Sequence, residues 1–81
     1  MKLYDYLLCM KQMCLDLASI LLKAGELSLT EFYTNAGIGF SSKAFDLSLE
    51  QSTQEIGLKE IDSYLNLESV LASVKKEVKN G

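Results

Sequence analysis

The sequence predicts an all-α protein, a small bundle of three to four helices in which the first helix is long and largely buried. Three observations lead there. Leu3, Leu7, Met10, Cys14, Leu17, Leu21 and Ala24 alternate spacings of four and three without a break, the heptad seam of a packed helix. Ser28 and Glu31 have the spacing of a capping box. Gly25, Gly37 and Gly57 stand where helices would stop, and Pro is absent. With 81 residues the chain is read as one helical domain, 1–81. A domain of this size has a thin core, because it buries only about 60–65% of the surface its unfolded chain exposes.

The first helix is expected from Lys2 to Ala24, with Gly25 as its C-terminal stop. Tyr6, Met13 and Ile20 flank the seam on one side, and Tyr4, Leu8, Leu15 and Leu22 on the other. Only Asp5, Gln12, Asp16, Ser19 and Lys23 form a polar stripe, so at about 100° per residue the apolar arc covers roughly two-thirds of the circumference. The second helix is expected from Leu29 to Ala36, capped by Ser28 and stapled by Leu27 against Phe32. A turn is placed at Gly37–Ser42, since each glycine costs a helix interior about 1 kcal/mol. The rival reading is one helix from Leu29 to Ile56, because Leu29, Tyr33, Ala36, Phe40, Ala44 and Leu47 keep helical spacing across the glycines. Under the first reading a third helix spans Lys43–Ile56 and ends at Gly57. The last helical stretch starts near Leu58. Its apolar phase, Leu58, Ile61, Leu65, shifts to Leu67, Leu71, Val74, Val78, which predicts a kink or turn at Asn66. Lys75, Lys76 and Lys79 complement the dipole of its C-terminal end, and Asn80 and Gly81 are expected to fray.

Composition narrows the function. The net charge is −3, and the eight basic residues are all Lys. Sequence-reading nucleic-acid binders use Arg for bidentate contacts, so no nucleic-acid partner is expected. With no His, the usual zinc sets are missing. Cys9 and Cys14, about 140° apart on one helix, cannot bond to each other there. They are read as free thiols, which fits a reducing compartment and a cytoplasmic location. Asp5, Lys11 and Asp16 interrupt the apolar start, so neither a membrane span nor a signal sequence is expected.

Few residues are candidates for chemistry. Nucleophilic catalysis needs a base beside the nucleophile, and His is absent. Asp46 and Glu50 lie among Ser and Gln and read as a solvated face. Asp62 to Glu68 lacks the alternating ligands and mid-loop glycine of a calcium loop. No enzyme activity, metal or cofactor is expected. One stretch qualifies as a small-ligand element: the turn with Gly37, Gly39, Ser41 and Ser42, whose backbone N–H groups would face an anion at a helix start. Within it, Gly39-Phe40-Ser41-Ser42 resembles the Gly-x-Asp-Ser-Leu turn of acyl and peptidyl carrier proteins. The resemblance implies a four-helix fold with phosphopantetheine on Ser42. The chain departs from that pattern at Ser41, where carriers have Asp, and at Lys43, where they have Leu.

The best reading is a small non-catalytic helical interaction protein, a regulator, inhibitor, immunity-type or assembly factor, acting through an apolar helix surface. The alternative is a carrier-like or anion-binding module using Gly37–Ser42. Tyr4, Tyr6, Leu8, Leu15 and Leu22 are the expected partner or oligomer interface, since an uncovered Leu row makes a larger patch than soluble monomers usually tolerate. Self-association is expected, with Lys11 along the edge of the contact and its ammonium in water.

Overall fold

The computed structural model describes residues 1–80, with side chains through Glu77. Three helices follow in order: α1, Leu3–Lys23; α2, Leu27–Glu50; and α3, Leu58–Asn80. Among the described residues there is no strand, only an isolated antiparallel bridge between Lys2 and Glu55. Gly81 and the Val78, Lys79 and Asn80 side chains lie outside the described residues, and with them the expectations placed on Val78, Lys79 and the Asn80–Gly81 end.

α1 ends as its sequence suggests. Gly25 takes φ 81°, its N–H donates to the Leu22 carbonyl, and the Glu26 N–H donates back to Leu21. That pair of bonds is a Schellman stop, which a residue without Cβ adopts at no steric cost. The stop delivers the chain straight into α2, and this displaces the expected cap. Glu26 is the N-cap, without a side-chain cap bond, and its carbonyl accepts from both the Thr30 N–H and the Thr30 hydroxyl. Ser28 therefore sits inside the first turn, and the Ser28–Glu31 capping box does not form.

The turn expected at Gly37–Ser42 is also absent. α2 runs through both glycines without a break, in line with the long-helix reading, and it stops at Glu50 rather than Ile56. The core-facing row of α2 explains why. Thr30, Tyr33, Gly37, Phe40, Ala44 and Leu47 alternate small and large at spacings of three and four. The small members let α1 come close. A Cβ on Gly37 would stand 2.8 Å from Leu15 Cδ2 and 3.5 Å from Cys14 Cβ. Close packing thus offsets the helix penalty at Gly37. Gly39 points to solvent with nothing within 4 Å, so its penalty has no such compensation.

At the far end Gln51 adopts φ 53°. Its N–H bonds to Ser48 and that of Ser52 to Leu47, a second Schellman stop made without glycine. The connector then crosses the start of α1. The Leu3 N–H, which has no partner within its own helix, donates to the Gln54 carbonyl at 2.8 Å, and the Ile56 N–H donates to Met1 O. A helix through Ile56 would forfeit these bonds. Gly57 opens α3 instead of closing an earlier helix: its carbonyl accepts the Ile61 N–H.

α3 is continuous across Asn66, so the kink expected there does not occur. Tyr64 is the reason. Tyr64, Leu67, Leu71 and Val74 pack towards α1 and Ile61 lines a recess with Tyr6, while Leu58 and Leu65 remain 81% and 53% exposed. Counting Tyr64 as a seam residue removes the apparent change of phase.

α1 and α2 form an antiparallel hairpin, and α3 returns parallel to α1. Both α2 and α3 pack on α1, and no Cα pair between α2 and α3 comes within 8 Å. α1 supplies every buried hydrophobic of the described residues except Ala44 and Leu71. Two clusters line it: Tyr6, Leu7, Met10 and Ala44 near its start, and Leu17, Leu21 and Leu71 towards its end. The radius of gyration is 13.7 Å, against about 12 Å for a compact chain of this length. The bundle is elongated and exposes more side-chain surface than a rounder one.

Candidate partner-binding surface

The antiparallel register fixes which residues share a face. Gly37 lies beside Cys14 and Leu15, and Ala44 clusters with Leu7 and Met10. Stepping one turn at a time from those anchors sets Leu15 level with Ile38, Lys11 with Ser41, Leu8 with Phe45, and Tyr4 with Ser48 and Leu49. The first two pairings line a shallow recess of about 300 Å³, together with Gly37 and Ser42. Gly37 and the two small serines line it on the α2 side.

Around that recess the surface is apolar. Ile38 is 60% exposed, Phe45 63% and Leu49 68%. Leu8 is 37% exposed, and Tyr4 and Leu15 are half-buried. Lys11 is half-buried at the rim and lines the recess. Leu22 is exposed at 56% but lies a further two turns towards the hairpin end, level with Thr30, beyond Glu31 and Thr34. Tyr6 is 6% exposed and belongs to the core, on the side of α1 that meets α3. Its burial, followed by the nearby Glu60 carboxylate, raises the phenol above its ordinary value of 10.0.

The α2 half of this face is missing from the sequence reading, although a signal for it exists. Ile38, Phe45 and Leu49 are separated by seven and four residues, a second apolar row on the side of α2 away from Tyr33, Phe40 and Leu47. Placing a turn at Gly37–Ser42 conceals it, because both rows cross that segment.

The small-ligand turn loses its geometry. Gly37, Gly39, Ser41 and Ser42 lie inside α2, where backbone N–H groups are engaged in the helix's own bonds. Ser42 is not at a helix N-terminus, as the carrier resemblance requires. Elsewhere the side chains offer little chemistry. Cys9 and Cys14 are free, and burial pushes the Cys14 thiol above 9.0, away from the thiolate that reacts. No group of three metal-binding side chains converges among the described residues. A larger recess of about 620 Å³ under the hairpin turn carries Lys23, Glu26 and Glu77 and no nucleophile–base pair. No helix among the described residues is long and apolar enough to cross a membrane.

No protein-family model, curated protein or solved structure matches the chain.

Proposed function

We propose that this chain is a small non-catalytic interaction protein, of the regulator, inhibitor or assembly-factor kind, which binds protein through the outer face of the α1–α2 hairpin. One observation carries the reading: Leu8, Ile38, Phe45 and Leu49 stand exposed together around a recess whose one charged lining residue is Lys11. At roughly 200 Å² for a whole large side chain, their exposed fractions leave on the order of 400 Å² of apolar surface. That is about the apolar share of one side of a standard protein interface, and towards the upper range of what a monomer leaves to water. The free thiols fit a reducing compartment. A photo-activatable benzophenone side chain tests the reading, placed at Phe45 and, as a control, at Asp62 on α3, in cells of the native host. A polypeptide adduct is expected from position 45 alone. Adducts from both positions, or from neither, would overturn it.

A further inference from the structure

We infer that the occupant of this face is a second copy of the same chain, docked about a two-fold axis, with Phe45 of each copy seated in the recess beside Leu15 of the other. The inference rests on the protein-binding reading and names the partner. The face carries a projection and a depression at once. Phe45 projects, 63% exposed. The recess between Leu15 and Ile38 has about 300 Å³ of space, and a cavity of about 150 Å³ already takes benzene.

Their separation suits a two-fold contact. The recess is centred near Gly39 along α2, and Phe45 lies six residues on, roughly 9 Å at 1.5 Å per residue. An axis halfway, near Ser42, carries each ring onto the other copy's recess. The two α2 helices then cross where serine side chains allow a close approach. Such a contact is isologous: Phe45 meets the recess, and the recess meets Phe45. A foreign partner would have to supply both a ring and a hollow at the same spacing. Charge agrees at the rim. Asp46 follows Phe45 in the chain, so seating the ring brings an acidic residue towards the Lys11 ammonium. The exposed apolar area matches what each half of a standard interface contributes.

Solution mass by sedimentation equilibrium tests this, across micromolar to millimolar concentration. The chain should weigh twice its 9.0 kDa, and Phe45→Ser should halve that mass while keeping its helical circular dichroism, since the ring covers no core residue. Ser42→Trp, which fills the recess rather than removing the ring, should also give monomer. Phe32→Ser is the control: Phe32 is equally exposed at 63% but lies off this face, so its loss should leave the dimer intact. A wild-type monomer at millimolar concentration, or dissociation by Phe32→Ser as complete as by Phe45→Ser, would overturn the inference. The cross-link at position 45 separates this failure from the broader one. An adduct to a different polypeptide refutes the second copy and leaves protein binding standing, whereas no adduct refutes both.

Discussion

α2 and α3 pack on the same helix by different means. α2 approaches α1 through small residues, Thr30, Gly37 and Ala44, set between Tyr33, Phe40 and Leu47, and the Leu15 side chain fills the space at Gly37. α3 approaches by size, through Tyr64, Leu67, Leu71 and Val74. The difference decides what each helix has left for other work. α2 commits Tyr33, Phe40 and Leu47 to the contact with α1 and carries in addition a second apolar row, Ile38, Phe45 and Leu49, that stays exposed. The large residues of α3 are mostly committed to its single packed side. Backbone closeness at small residues and side-chain filling are thus two routes to cohesion, and α2 uses both.

The contrast can be broken from either side. The largest effect belongs to the filled contact. Leu17 is 0% exposed and packs with Leu21 and Leu71, so Leu17→Ala should lower stability by about 3 kcal/mol in chemical denaturation. A loss under about 1 kcal/mol would mean that the α1–α3 layer is loosely packed. Gly37→Leu attacks the close contact. It improves helix propensity, so the expected loss of about 2 kcal/mol comes entirely from overpacking against Leu15 and Cys14. Gly39→Ala sharpens the comparison. The same helix gains propensity with nothing to collide with, and a gain of about 1 kcal/mol is expected. Equal effects from the two glycines would refute the close approach at Gly37.

A smaller effect follows from pH. Burial raises the Cys14 thiol above 9.0 and the Tyr6 phenol above 10.0. Both groups are thus held in their neutral form by the fold. Their contribution is fully present below those values and is lost as pH rises through the raised ones. Unfolding midpoints should fall above about pH 9, and Tyr6→Phe should flatten the later part of the fall. An alkaline limb unchanged in Tyr6→Phe would remove Tyr6 as a cause.

α1 was legible from its sequence because every signal there agreed: the seam from Leu3 to Ala24, the polar stripe and the stop at Gly25. In the remaining helices a local preference meets a tertiary contact that overrides it. Gly37 reads as a helix breaker by propensity, yet it is the residue that admits Leu15. Ser28 reads as a cap, but the Gly25 stop starts α2 one residue before it. Without Tyr64 in the seam the apolar phase breaks between Leu65 and Leu67, which makes Asn66 look like a joint. The candidate surface followed the same division. Its α1 half, Tyr4, Leu8 and Leu15, was visible on the wheel. Tyr6 belongs to the core instead, because the side on which α3 docks is not written in α1. The α2 half required residues 27–50 to be one helix.

The lengths of the two connections bear on the order of assembly. α1 and α2 are joined through Ala24, Gly25 and Glu26 alone, so their pairing closes a short loop and forms among near neighbours in sequence. α3 reaches α1 only after the whole of α2 has been traversed, at a greater loop-closure cost. Low contact order favours the hairpin as the earlier folding unit, with α3 arriving on a surface already built. In the native state the same asymmetry should appear as a hierarchy of amide protection. Amides of α3 should exchange through an opening that leaves α1 and α2 protected, since the small-residue contact does not need α3 to persist.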